Sequence, residues 1–110
     1  MSSLSTHVLD AGTGTPAGGV AVTLTRLEGA GWAELGSAVT DDDGRVAALA
    51  PGGLAAGSYR LSFDTGSYFA ARGQVGFYPE VTVTFTVDSD RHYHVPLLLS
   101  PFAYSTYRGS

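Results

Sequence analysis

From Val81 to Val87 the chain alternates without exception: Val81, Val83, Phe85 and Val87 fall on one side, Thr82, Thr84 and Thr86 on the other. A period of two fits only a β-strand, whose successive side chains leave opposite faces; a helix would scatter the same valines around its circumference. Residues 58–64 repeat the pattern, with Tyr59, Leu61 and Phe63 opposite Ser58, Arg60 and Ser62, and residues 20–27 place Val20, Val22 and Leu24 inward and threonines outward. Fifteen glycines and five prolines cut the chain into short segments, and further strands are expected at 4–10, 32–39, 46–49, 91–99 and 103–108. Eight short strands predict an all-β fold, a two-sheet sandwich. One segment departs from the period: residues 64–73 offer Asp64, Thr65 and Ser67 as N-caps, a short helical run and a closing Gly73, so one short helix is expected there. Residues 47–57, rich in alanine and glycine, read as a flexible loop.

A length of 110 residues predicts one domain over 1–110. The 44% apolar and 15% charged composition is that of a folding chain. All six basic residues are arginines, scattered against ten acidic residues for a net charge of −4, which argues against nucleic acid as a partner. The longest apolar stretch, near residues 95–99, is far below the roughly 20 residues of a membrane helix. The opening MSSLSTHVLD has neither a basic nor an apolar leader region, so no membrane association and a cytoplasmic location are expected. The absence of cysteine excludes disulfides, thiolate metal sites and a cysteine nucleophile. A domain this small buries only about two-thirds of its unfolded surface, which makes oligomerisation a route to stability.

Two formal motifs dissolve in context. Gly12-Thr-Gly14-Thr-Pro-Ala17 matches a dinucleotide fingerprint, but Gly18, Gly19 and a strand follow where the motif requires a helix, so a turn is expected. Asp41-Asp42-Asp43-Gly44 lacks the ligand spacing of a calcium loop and reads as a hairpin turn. The histidines say more. In 91–99 the apolar face is Tyr93, Val95, Leu97 and Leu99, so His92 and His94 leave the core together, and the same parity puts His7 with Ser5 and Leu9, opposite Leu4 and Val8. Pro96 shares the face of His92 and His94 and predicts an edge position or a bulge. A His-x-His strand with a third histidine could bind zinc with an open fourth position. The metal-free reading makes the imidazoles a general acid and base, with an arginine steadying negative charge. No G-x-S-x-G elbow competes. The ending Tyr104-Ser-Thr-Tyr-Arg-Gly-Ser110 is either a frayed tail or a wall of Tyr and Arg able to bind a planar anionic heterocycle.

The block HYHVPLLLSPFAYSTYRGS (residues 92–110) closely resembles the C-terminal signature of the 5-hydroxyisourate hydrolases, the transthyretin-like enzymes of urate breakdown. LSTHVLDAGTGTPA, TDDDGRV and FYPEVTVTF resemble the family's other blocks, so the similarity spans nearly the whole chain. The YRGS ending is the motif that separates the hydrolases from the hormone-carrying transthyretins. The resemblance implies a transthyretin-like, eight-stranded, two-sheet sandwich assembled as a homotetramer, with active sites in clefts between subunits. It implies hydrolysis of 5-hydroxyisourate to 2-oxo-4-hydroxy-4-carboxy-5-ureidoimidazoline without a cofactor or metal. It assigns His7, Arg45, His94 and Ser110 to catalysis and His7, Arg45, His92, Tyr107 and Arg108 to substrate binding. Which histidine is the base stays open, as does the role of His92, and the alternatives are a non-catalytic transthyretin-like carrier and a zinc-binding sandwich.

Overall fold

The computed structural model describes residues 2–110. Two sheets face each other. One runs in the order β2 (Thr15–Pro16), β1 (Ser3–Asp10), β8 (His92–Ser100), β9 (Ala103–Thr106), with the short β5 (Arg45–Val46) also paired to β1. The other runs β4 (Gly31–Val39), β3 (Ala21–Glu28), β6 (Gly57–Phe63), β7 (Val81–Val87). The expected two-sheet sandwich is therefore present, and so is its one helix, α1 (Thr65–Ala71). Asp64 caps α1 by accepting the Ser67 N–H at 3.1 Å, and Gly73 follows its C-terminus at φ +67°.

The face parity read from alternation holds where it matters for the site. On β8, Tyr93, Val95, Leu97 and Leu99 are buried between the sheets, and on β1 Leu4, Thr6, Val8 and Asp10 are. They meet Val22 and Leu24 of β3 and Tyr59, Leu61 and Phe63 of β6. Ser3, Ser5, His7 and Leu9 of β1, with His92, His94 and Leu98 of β8, are left on the outer face of their sheet.

Three expectations need correction in detail. The strand expected at 46–49 is only the two-residue β5, and Leu49 instead serves the core from the following loop; a further two-residue strand, β2, closes the turn after β1. The 47–57 loop is pinned, because Leu49 and Leu54 are buried and Ser2 and Leu54 exchange backbone hydrogen bonds at 3.0 and 2.6 Å. Pro96 is on no edge: β8 lies between β1, which it pairs in parallel, and β9. The Pro96 carbonyl accepts the Thr106 hydroxyl at 2.7 Å, so its donor-less nitrogen also faces β9, and there the ladder lapses at Tyr107 and Arg108 before Gly109 bridges to His94. The missing N–H coincides with that lapse, which is why a central strand tolerates it.

Asp10 ties the helix to the first strand. Its Oδ1 accepts the Gly12 and Thr13 N–H groups at 2.9 and 3.1 Å, and its Oδ2 accepts the Tyr68 hydroxyl of α1 at 2.8 Å. Burial, then the hydrogen bond and charge of Asp10, push the Tyr68 phenol from its ordinary 10 up to about 12. A raised folded pKa means that this contribution to stability is whole below pH 10 and is lost as pH rises through about 12. Replacing Tyr68 with phenylalanine is expected to lower stability by about 2 kcal/mol at neutral pH, the scale of a hydrogen bond to a charged group. It should also remove this alkaline loss, and thermal melts at neutral and alkaline pH check both.

Candidate active site

Two local structures bring the site together. The first is the parallel pairing of β1 with β8, which sets Ser3 beside His92, Ser5 beside His94 and His7 beside Pro96. Because all these residues share the outward parity, their side chains gather on one face. The second is the turn at 41–44. Asp41 Oδ1 accepts the N–H groups of Asp43 and Arg45 at 2.9 and 3.0 Å, and Gly44, at φ +76°, reverses the chain so that Arg45 pairs with His7 across β5 and β1. Gly44 admits no side chain, since a Cβ there would overlap the Val8 carbonyl. The run of aspartates is thus a turn, as expected, but not a hairpin, since it leads from β4 in one sheet to β5 in the other and there sets Arg45 beside His7.

The result is a cleft of about 200 Å³ lined by Ser5, Thr6, Arg45, Val46, Ala47, His92 and His94. His7 stands beside Arg45, its Nε2–H donating to the Asp43 carbonyl at 2.8 Å. His94 Nδ1 lies 2.8 Å from Ser5 Oγ, leaving Nε2 as its unengaged nitrogen. His92 is engaged at both nitrogens, Nδ1 at 2.6 Å from Ser3 Oγ and Nε2 at 2.8 Å from Ser5 Oγ. Burial, followed by the electrostatic influence of His92, His7 and Arg45, lowers the His94 pKa below its ordinary 6.5. A neutral imidazole beside a fixed guanidinium suits proton abstraction next to developing negative charge.

The C-terminal segment divides. Gly109 N–H donates to the His94 carbonyl at 2.8 Å and packs so closely that a Cβ there would stand 2.5 Å from His94 Cδ2 and 3.2 Å from Cγ. Arg108 turns to the other side of the sheet, its guanidinium carbon 5.0 Å from the centre of the Tyr93 ring. Tyr107 and Arg108 line a second, apolar gap of about 320 Å³ with Val83, Phe85, Val95 and His94, so His94 borders both this gap and the cleft. Ser110 is exposed beyond Gly109. Within one chain, then, His7, Arg45, His92 and His94 come together, whereas Tyr107 and Arg108 meet only His94 of this group, across the second gap.

The zinc arrangement needs three converging nitrogens. Among the described residues no group of three or more His, Cys, Asp or Glu side chains is disposed to hold a metal ion. Two contributors escape the reading of motifs, Ser5 and the Asp43 carbonyl, whereas Gly109 lies within the YRGS ending. Ser5 shares the parity of His7, two residues away, and that is the one signal in the sequence that could have nominated it.

Fold and site together define a class: a two-sheet β-sandwich that carries a histidine and arginine cleft on the outer face of one sheet, of the architecture seen in the transthyretin of Sparus aurata. That structure superposes with a TM-score of 0.89 at 35% identity, covering 96% of this chain and 95% of the other. The chain belongs to the HIUase/Transthyretin family, whose model matches residues 4–109. It is 50% identical over 109 residues to the 5-hydroxyisourate hydrolase of Salmonella typhimurium, covering 97% of this chain and 80% of that one. The structure of the 5-hydroxyisourate hydrolase of Klebsiella pneumoniae superposes with a TM-score of 0.91 at 44% identity, covering all of both chains. The resemblance of the sequence blocks is thereby borne out. No helix among the described residues is long and apolar enough to cross a membrane.

Proposed function

We propose that this chain is an enzyme that hydrolyses 5-hydroxyisourate in urate degradation, opening its six-membered ring to give 2-oxo-4-hydroxy-4-carboxy-5-ureidoimidazoline. The observation that carries this reading is the cleft shared by Arg45 and His94, with His7 paired beside Arg45, in a chain half identical to a Salmonella hydrolase. Identity to that hydrolase exceeds the 35% shared with the Sparus transthyretin, which favours the enzyme over the carrier.

In this reading His94 is the base. Its lowered pKa keeps it neutral, and Nε2 is its unengaged nitrogen. It takes a proton from water, the water oxygen attacks the ring carbonyl, and Arg45 stabilises the oxyanion with charge-assisted hydrogen bonds. His7, tethered to Asp43, orients the substrate. Tyr107, Arg108 and Ser110, exposed in the single chain, complete the site in a homotetramer of single-domain subunits, where a neighbour covers the outer-face residues His92, His94 and Leu98. Cytoplasmic location belongs to the same reading, and fractionation of expressing cells tests it.

The test is direct. 5-Hydroxyisourate generated from urate by urate oxidase is followed by its ultraviolet absorbance, with and without the protein. Accelerated decay that survives a chelator is expected; an unchanged decay removes the hydrolase reading, and loss of rate on chelation restores the zinc reading. Light scattering is expected to report about four times the chain mass, and a clean monomer at micromolar concentration removes the shared site.

A further inference from the structure

Ser5 stands between the two histidines of β8. Its Oγ is 2.8 Å from His92 Nε2 and 2.8 Å from His94 Nδ1, and His92 Nδ1 is 2.6 Å from Ser3 Oγ. These contacts form one unbroken line, from His94 through Ser5 and His92 to Ser3, that begins at a half-buried ring and ends at residues exposed in the single chain, which in the tetramer would face the water of the shared cleft. A hydroxyl carries a single proton, so Ser5 donates to one ring and can accept from the other. The line then has two arrangements. In the first, His94 Nδ1–H donates to Ser5, Ser5 donates to His92 Nε2, His92 Nδ1–H donates to Ser3, and His94 Nε2 is bare. In the second, each bond is reversed and His94 carries its proton on Nε2.

We propose that Ser5 is a relay residue that switches this line between its two arrangements, so that His94 serves first as base and then as acid while staying neutral. The proposal rests on the hydrolase reading. In the base step the attacking water gives a proton to His94 Nε2. The Nδ1 proton passes to Ser5, the Ser5 proton to His92 Nε2, and the His92 Nδ1 proton leaves by way of Ser3 to solvent. In the acid step the Nε2 proton goes to the ring nitrogen as its bond to carbon breaks, and a solvent proton entering at His92 Nδ1 restores the first arrangement. Water's oxygen forms the new carbon–oxygen bond, and its second hydrogen is released when the product carboxylic acid ionises. One proton has left the line and one has entered.

The surroundings give this line a purpose. His94 is half-buried and near the Arg45 guanidinium, a costly place to leave an imidazolium between two chemical steps. Gly109, the residue against its other edge, brings no charge. Ser5 acts through His94 and does not touch the reacting atoms, so its role is positioning and relay.

Two variants test this, Ser5→Ala and Ser5→Thr, the second keeping the hydroxyl on a residue that suits a strand. Ser5→Ala is expected to lower kcat by about 10²-fold, the lower end of a lost acid–base step, with KM and melting temperature unchanged. Ser5→Thr should restore most of the rate. In mixtures of light and heavy water the wild-type rate should fall along a bowed curve, as several protons move together, and the alanine variant along a straight line. Independently of activity, imidazole nitrogen shifts measured by NMR should show His92 and His94 changing tautomer together in the wild type and separately in Ser5→Ala. Full turnover with a bowed curve in Ser5→Ala overturns the relay, and so does a threonine variant as slow as the alanine one. Unlinked shifts in the wild type also overturn it, whereas a wild type that leaves 5-hydroxyisourate intact overturns the hydrolase reading instead.

Discussion

Replacing Arg45 with glutamate is expected to lower kcat/KM for 5-hydroxyisourate by about 10²-fold or more, the scale of losing one oxyanion donor. Stability should change by no more than about 1 kcal/mol, as for most surface substitutions. Both halves follow from where Arg45 sits. Its backbone is held by Asp41 and by pairing with His7, neither of which involves its side chain, and the side chain is exposed at the cleft. The charge reversal also acts on His94. Arg45 is a positive group that helps to hold that pKa down, so a carboxylate in its place raises it and moves the acid limb of the rate profile to higher pH. Rates measured across pH, beside thermal melts, separate the possibilities. Wild-type turnover would remove Arg45 from the site, and a loss of rate that tracks unfolding would make its role structural.

Gly109→Ala is the second large effect. Gly109 is not among the glycines with positive φ, so no conformational demand keeps a side chain out. What excludes one is the His94 ring, whose Cδ2, Cγ and Cβ would lie 2.5, 3.2 and 3.3 Å from an added Cβ. The ring is bounded on its Nδ1 side by Ser5, so it yields only by giving up that hydrogen bond or by pushing the C-terminal segment away. The rate is expected to fall by about 10²-fold, as when a reacting group is misplaced by an ångström. Melting should change little, because the last residues of a chain seldom carry core packing. Deleting residues 107–110 should cost at least as much activity, since it removes the same support together with Tyr107, Arg108 and Ser110. If the alanine variant turns over normally while the deletion does not, the tail contributes through those three residues and not through the support of His94.

Much of this was legible in the chain. The strict alternation of β7 and β6, the caps around α1 and the turn at Asp41 to Gly44 are local, set by residues a few positions apart, and each reads correctly from sequence. The outward parity of His7, His92 and His94 is local in the same sense. Pro96 misleads for a complementary reason: its missing N–H is visible in the sequence, but whether that nitrogen faces solvent or a lapse in a neighbouring ladder is not. The family resemblance reached Arg45 and the C-terminal block, and it assigned Arg108 to the site without indicating that in a single chain this side chain lies over Tyr93.

By itself, then, the sequence determined where the long strands run, which face each of them buries and which side chains leave the core, because two neighbouring residues in an extended chain must point opposite ways. Tertiary structure alone decided which outward residues meet. Ser5 reaches His92 and His94 only because β1 and β8, almost a whole chain length apart, pair in parallel in one register, and a slip of one residue would send Ser5 and His7 to the other face of the sheet. That register is selected by the fit of Leu4 and Val8 beside Tyr93, Val95, Leu97 and Leu99 against the second sheet, a property of the assembled core that no segment of the chain contains.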